Sequence, residues 1–388
     1  MGDAINNSVS EHPKMMIIGL GGAGGNIVSR LATRFPDEIQ TAVIDTDEQK
    51  LQELAVDRKV LIGQSVTGSN SSGGNEELGR RAAQADAALI RELISGAKLL
   101  IFVTGLGGGT GGGIAPMVAR MAHAAQAVSM AFATLPFGFE GPEKLQLAER
   151  SLKQLYATET AVVQLPNQQL LDAADGEVLI NEAFELCNEP VAQSILSMWR
   201  LMATPGLINL DYGAVRDMLQ RCGGHCHCVG VEGFLSEGCD VLASRVVDHP
   251  LLSREMLKHS HGMMLGITAC PNVRFADIET IVNTIRACLP ADVLLRWGVA
   301  LSEEMGDKIS VVAVCAETMS DIDSEEQDSP QLAAKPKMQS AKKGKGQIEL
   351  GFVANRSSGY FQNAAPTLHA GQDLDEPTYL RRNIRLPR

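Results

Sequence analysis

Two glycine-rich runs carry most of the chemistry this sequence offers. The first is Gly19-Leu20-Gly21-Gly22-Ala23-Gly24-Gly25-Asn26, and the second is Gly105-Leu106-Gly107-Gly108-Gly109-Thr110-Gly111-Gly112-Gly113. Each follows an apolar strand pattern and opens a helical one. Glycines in that setting let the backbone approach a phosphate, and the helix amino end adds N–H donors and a favourable dipole. Alone, the first run matches the dinucleotide fingerprint at Gly19, Gly21 and Gly24, with Asp45 or Asp47 placed as its ribose acid. That match keeps a nicotinamide-dependent oxidoreductase in view. The second run holds seven glycines in nine positions, an entropic cost that an ordinary turn does not require. No Gly-Lys-Ser/Thr follows, so it is not a Walker A loop. Two phosphate-cradling loops on neighbouring strand ends suit a triphosphate laid across a sheet edge.

The elements that must position these loops are legible as alternating patterns. Short apolar runs at 15–19, 41–45, 98–103, 129–134 and 161–165 read as strands, with helical patterns at 26–32, 113–127 and 143–157 between them. That alternation predicts an α/β domain with a parallel sheet covered by helices on both faces, and ligands at the strands' carboxyl ends. A long helical pattern follows from about 179 to 202, with Pro190 expected to kink it or mark a joint, and it stops at Thr204-Pro205-Gly206. Beyond it, strands at 225–230, 261–269, 292–300 and 308–315 outnumber the helices at 214–221, 236–246 and 275–288. A smaller α/β unit with a mixed sheet is expected there. The organisation predicted is a tail over 1–13, a nucleotide-binding domain over 14–177, a central helix over 178–204, a second domain over 205–317, a linker over 318–370 and a terminal segment over 371–388. The linker is rich in Ser, Asp, Gln and Lys, a composition too polar to offset its ordering entropy.

Composition narrows the function further. The chain has 388 residues, 34 Lys and Arg against 46 Asp and Glu, and a net charge of −12, with only 4% aromatic residues. A surface of that sign argues against nucleic-acid binding, and few aromatics leave few stacking platforms. The polar first thirteen residues do not read as a signal peptide, and the eight cysteines fit free thiols in a reducing compartment. Leu100 to Ala119 is uncharged and long enough to span a bilayer, but its glycines make it a strand–loop–helix instead. A cytoplasmic protein without direct membrane insertion is expected.

The run Gly107 to Gly113 closely matches the tubulin/FtsZ motif Gly-Gly-Gly-Thr-Gly-(Ser/Thr)-Gly, with Gly112 where that family has a hydroxyl. On these residues the chain resembles the FtsZ family, the bacterial homologues of tubulin, as a divergent member. The resemblance covers roughly 14–317 and recurs at the C-terminus. It implies a tubulin/FtsZ-type fold, a GTP/GDP site with Mg²⁺ carried by the nucleotide, and a GTPase that polymerises head to tail as the cell-division scaffold. Nucleotide contacts are then expected from Gly21, Gly22, Ala23, Gly24, Asn26, Asp47, Gly107, Gly108, Gly109, Thr110 and Gly111, with Gly73, Gly74 and Asn75 near the γ-phosphate. Pro136-Phe137-Gly138-Phe139-Glu140-Gly141 is similar to the FtsZ loop whose Glu contacts the ribose, and Lys144 stands where an arginine usually reaches the nucleotide. Asn167 is expected on the sugar and base side. Ala183-Phe184-Glu185-Leu186-Cys187-Asn188-Glu189 resembles the family's Ala-Phe-x-x-x-Asn-Asp. Phe184 would stack on the base beside Asn188, and Glu189 would replace the aspartate that reads guanine's N1–H and N2–H donors.

In FtsZ the catalytic loop Asn-x-Asp-Phe-x-Asp comes from the next subunit. The corresponding run here is Asn209-Leu210-Asp211-Tyr212-Gly213-Ala214, so the second carboxylate is absent. Three outcomes stay open: slow hydrolysis through Asn209 and Asp211, rescue by Asp217 one turn later, or stable filaments with negligible hydrolysis. Cys222 to Cys228 invites a zinc reading, but on the expected strand His225 and His227 would face one side and Cys226 and Cys228 the other, so no metal site is expected. Leu374-Asp375-Glu376-Pro377-Thr378-Tyr379-Leu380-Arg381-Arg382 resembles the terminal peptide by which FtsZ binds FtsA-like membrane-tethering adaptors. That resemblance places the protein at the division site beneath the inner membrane.

Overall fold

The computed structural model describes residues 14–158, 160–173, 178–204, 206–208, 210, 212–222 and 224–317, with two short strands near the C-terminus. Apart from those strands, the expected tail, linker and docking peptide lie outside the described residues, as do Asn209 and Asp211.

The first half reads β1 (Met15–Leu20), α1 (Gly21–Ala32), β2 (Gln40–Asp45), α2 (Glu48–Glu53), β3 (Arg58–Leu61), α3 (Gln64–Thr67), α4 (Glu76–Ala85), α5 (Ala87–Ile94), β4 (Leu99–Gly105), α6 (Gly109–Ala124), β5 (Val128–Leu135), α7 (Pro142–Tyr156) and β6 (Ala161–Pro166). The chain continues through α8 (Asn167–Asp172), α9 (Ile180–Ala203), β7 (Gly206–Ile208), α10 (Tyr212–Arg221), β8 (Gly224–Phe234), α11 (Cys239–Val247), α12 (Arg254–Lys258), β9 (Ser260–Ala269), α13 (Phe275–Arg286), β10 (Leu294–Leu301) and β11 (Lys308–Glu317). A separate unit, residues 330–388, contains β12 (Leu368–His369) paired antiparallel with β13 (Gln372–Asp373).

Strands β1 to β11 form one sheet in the order β3-β2-β1-β4-β5-β6-β8-β11-β9-β10-β7. The run from β3 to β8 is parallel throughout, whereas β11 is antiparallel to both of its neighbours and β7 is antiparallel to β10. The second half is therefore mixed, as the excess of strands over crossovers predicts. Parallel strands are buried on both faces, which is why β1 reads as an unbroken apolar run. Met15 and Ile17 enter one core cluster while Met16, Ile18 and Leu20 enter the other, on opposite faces of the sheet.

The long helix α9 packs against β8, β9 and β11 of the second half. Its approach is close enough to need glycine. A Cβ built on Gly230 would lie 2.3 Å from the Gln193 carbonyl oxygen, and one on Gly266 would lie 2.3 Å from Leu201 Cδ2. Ser194 fixes the same contact, donating to the Cys228 carbonyl at 3.2 Å and accepting from the Gly230 N–H at 3.1 Å. Pro190 does not mark a joint: α9 continues through it as one helix. The extensive packing of α9 on three strands outweighs one missing N–H donor.

Candidate nucleotide-binding site

Strand β1 passes directly into α1, and β4 reaches α6 through only three residues, so two helix amino ends meet at the carboxyl edge of adjacent strands. The glycines there divide by role. A Cβ on Gly24 would lie 2.1 Å from the Val103 carbonyl oxygen, one on Gly105 would lie 2.4 Å from Ala23 Cβ, and one on Gly111 would lie 2.7 Å from the Gly105 carbonyl oxygen. Gly21, at φ +68°, leaves 2.7 Å to the Gly111 nitrogen, so the two loops are pressed together. Gly109 packs likewise against Asn75 and Ser72. Other positions face open space: nothing lies within 4 Å of a Cβ on Gly108, Gly73 or Gly74, and Gly22 meets only Asp45 Oδ2 at 4.0 Å. Neither α1 nor α6 has a side-chain cap or an acidic residue in its first turn. Uncapped helix amino ends around an open glycine surface are what an anion uses.

A layer of hydroxyls and carboxyls supports the loops. Thr110 Oγ1 sits 3.1 Å from Thr46 Oγ1 and 2.8 Å from Ser72 Oγ, tying α6 to the β2 and 72–75 loops. Asp45, buried at the end of β2, accepts from the Thr46 and Asp47 N–H groups through Oδ1, and burial raises its carboxyl above the ordinary range. Asp47 and Asn75 both act as helix caps. Asp47 accepts from the Lys50 N–H at 3.2 Å, and Asn75 accepts from the Glu77 and Leu78 N–H groups at 3.0 and 3.2 Å. Asn26 is exposed on the first turns of α1.

The residues expected on the base side lie on α8, α9 and the segment between β5 and α7. Phe137 is buried, stacked on Phe139 at 5.3 Å and edge-on to Phe184 at 5.6 Å. Phe184 is 43% exposed, which leaves ring area for a base. Glu140 accepts from the Phe137 N–H at 2.9 Å and from Lys144 Nζ at 3.0 Å, so these two expected contacts are engaged with each other. Asn167 Oδ1 and Thr104 Oγ1 are buried with no hydrogen-bond partner among the described residues. Such atoms call for a ligand or water. Asn188, Glu185 and Glu189 line a cavity of about 590 Å³ with Arg30, Leu31 and Arg34. Glu189 is already engaged there: Arg34 Nη1 and Nη2 donate to its two oxygens at 2.6 and 3.0 Å, and Gln193 Nε2 donates at 2.7 Å.

Residues 14–175 match the Tubulin/FtsZ family GTPase domain, and residues 237–319 match the FtsZ family C-terminal domain. The cell division protein FtsZ of Methanothermobacter thermautotrophicus is 32% identical over 305 residues, 78% of this chain and 79% of that protein. This chain belongs to the FtsZ family of tubulin-like GTPases. Cell division protein FtsZ 1 of Thermococcus kodakarensis is 30% identical over 78% of this chain and 80% of its own length. An empty FtsZ dimer from M. jannaschii superposes with a TM-score of 0.71 at 27% identity, over 79% of this chain and 89% of that one. CetZ2 from Haloferax volcanii, in a GTPgS-bound protofilament, shares the fold with a TM-score of 0.65 at 21% identity, over 81% of this chain and 99% of that one.

The departure from the FtsZ motif at Gly112 has a counterpart across the helices. A Cβ at Gly112 would lie 2.7 Å from Ser151 Oγ and 2.8 Å from Glu76 Oε1. Ser151, on α7, donates to the Glu76 carboxylate at the start of α4, so its hydroxyl fills the volume a side chain at 112 would need. Nothing in the sequence pairs these positions, and the roles of Thr46 and Arg34 were equally invisible there.

Asn209 and Asp211 of the expected catalytic loop fall outside the described residues, but their neighbours are placed. Leu210 is buried, Ala214 lies in the first turn of α10, and the Tyr212 hydroxyl donates to the Lys98 carbonyl at 2.8 Å. Asp217 sits 3.6 Å from Arg216 and 3.8 Å from Arg296. On β8 the His225 and His227 rings lie 4.7 Å apart, while Cys226 and Cys228 are buried in the core. A hydrogen bond with Cys222 and burial raise the Cys226 thiol, and burial pushes Cys228 up to about 12. Among the described residues no group of three or more His, Cys, Asp or Glu is arranged to hold a metal ion.

Proposed function

We propose that this protein binds GTP across the two glycine loops, polymerises head to tail, and hydrolyses the nucleotide slowly within the cell-division scaffold. The observation that carries the reading is the pair of uncapped helix amino ends meeting around the open glycines Gly22 and Gly108, with Asn167 Oδ1 unsatisfied and Phe184 exposed on the base side. Residues 14–177 would form the binding domain, 178–204 the central helix, and 205–317 the domain that offers Asn209 and Asp211 to the nucleotide of the next copy. Head-to-tail stacking is a heterologous contact that builds open filaments.

Mg²⁺ would neutralise charge on the phosphate oxygens. Mg²⁺ is usually held by one or two carboxylates besides phosphates and waters, and Asp45, buried with Oδ2 toward Gly22, fits that part. Residues 371–388 would dock an FtsA-like adaptor, giving an indirect membrane link for a cytoplasmic filament. Among the described residues no helix is long and apolar enough to cross a membrane.

A second reading, stable filaments with negligible turnover, is favoured by Ala214 and by the two arginines already paired with Asp217. Phosphate release from GTP with Mg²⁺, measured across protein concentration alongside light scattering, separates the two. Release that begins above a critical concentration supports a shared site at subunit junctions. Scattering without release supports the stable filament, and binding with neither overturns assembly by the chain alone. Ala214→Asp places a carboxylate in the first turn of α10, where the helix dipole favours it, and should raise release per unit of filament about tenfold or more.

A further inference from the structure

We propose that Arg34 sets how strongly this site prefers guanine, because its guanidinium occupies Glu189 in the same two-donor manner as the base would. The inference rests on reading Glu189 as the carboxylate that recognises guanine. Guanine offers N1–H and N2–H side by side, and an arginine fork offers two parallel N–H groups of the same kind. Here Arg34 Nη1 donates to Oε2 at 2.6 Å and Nη2 to Oε1 at 3.0 Å, while Gln193 Nε2 takes a further position on Oε1 at 2.7 Å. A carboxylate has about four acceptor sites, so a two-point contact with the base requires Arg34 to release at least one oxygen. The mutual shifts agree with a formed pair: Arg34 holds the Glu189 carboxyl below its ordinary range, and Glu189 raises the Arg34 guanidinium.

The cavity beside the pair is large enough for a base, at about 590 Å³, and Arg34 and Glu189 stand on its two walls. Glu in place of the family's Asp extends the carboxylate by one methylene, and it bridges from α9 to Arg34, two residues past α1. The pair is also displaceable. Its side chains are 36% and 48% exposed, so water and salt weaken it. Arg34 therefore competes with the base without blocking it. It also blunts discrimination, because a base lacking the 2-amino group leaves Glu189 with Arg34 as a substitute donor. A site with no such substitute would leave a carboxylate oxygen unpaired and reject that base more strongly.

The test is calorimetric titration of the full chain with Mg-GDP and Mg-IDP, since diphosphates keep assembly out of the measurement and hypoxanthine lacks only the 2-amino group. Arg34→Ala and Arg34→Gln should each tighten GDP about two- to fivefold, the range an exposed ion pair supports, and tighten IDP less. The GDP-to-IDP preference then widens, and Glu189→Gln in the Arg34→Ala background collapses it again. Equal changes for GDP and IDP, in either direction, would overturn the inference and leave Arg34 as a staple between α1 and α9. A preference that ignores Glu189 in both backgrounds would instead overturn the assignment of Glu189, and no GDP binding by the parent chain would overturn the nucleotide site itself. Unfolding midpoints of both Arg34 variants check that the fold is kept.

Discussion

At the scale of single residues, the glycines of the two loops separate into those the fold packs against and those that face open space. Gly24 faces the Val103 carbonyl oxygen at 2.1 Å from a notional Cβ, a backbone contact that cannot yield. Gly24→Ala should cost about 3 kcal/mol or more, because overpacking against backbone forces the two loops apart. Gly108 has nothing within 4 Å and a backbone at φ −103° that any residue adopts. Gly108→Ala should leave the unfolding midpoint nearly unchanged and weaken GTP binding about tenfold or more, by interposing a methyl between phosphate and backbone. Urea unfolding and nucleotide titration of the two variants check both halves. Unchanged GTP affinity in Gly108→Ala would show that the phosphates lie elsewhere.

At the scale of elements, the volume a side chain would take at position 112 is filled from α7 by Ser151, which ties α7 to Glu76 at the start of α4. The loop 72–75 that would face the γ-phosphate leads directly into α4, so this link sets its position. Gly112→Ser alone should cost about 1–3 kcal/mol through collision with Ser151 Oγ and Glu76 Oε1. Adding Ser151→Gly should recover much of that, and a double-mutant cycle should read a coupling of about 1 kcal/mol or more. Additive effects would mean that the two positions do not share the volume. The example marks what was legible. Period-2 and period-3.6 patterns and the glycine runs located most of the strands, the long helix and the phosphate loops, because those signals are local. The elements of 58–94 left no such signal: α3 is one turn, α4 has a polar face of Glu, Arg and Gln, and β3 is a half-exposed edge strand. Ser151–Glu76 and Arg34–Glu189 join residues far apart in the chain, so no spacing rule could reveal them.

At the scale of the whole molecule, the two halves expected from the sequence share one sheet through the pairing of β6 with β8, and α9 packs along the same junction. A cavity of about 680 Å³ lies on that junction, lined from α8 and α9 on one side and from β8 and α11 on the other, and His249 is part of its wall. Burial, with a smaller contribution from Arg245, lowers His249 to about 4. Its Nδ1 accepts from the Leu251 N–H at 3.1 Å, a bond that needs the neutral ring. Between an ordinary pKa of 6.5 and 4, the unfolded chain binds this proton and the folded one does not. Stability is therefore fully present above about pH 6.5 and is lost as pH falls toward 4, by up to about 3 kcal/mol from this group. His249→Asn keeps an acceptor for Leu251 and removes the titration. Its urea midpoint, followed by the fluorescence of Trp199 in α9 and Trp297 in β10, should fall less between pH 6.5 and 4 than the parent's. A shared sheet also requires loss of nucleotide binding and the tryptophan signal to coincide. If the midpoints of parent and variant fall in parallel with pH, His249 is not what couples the junction to acid.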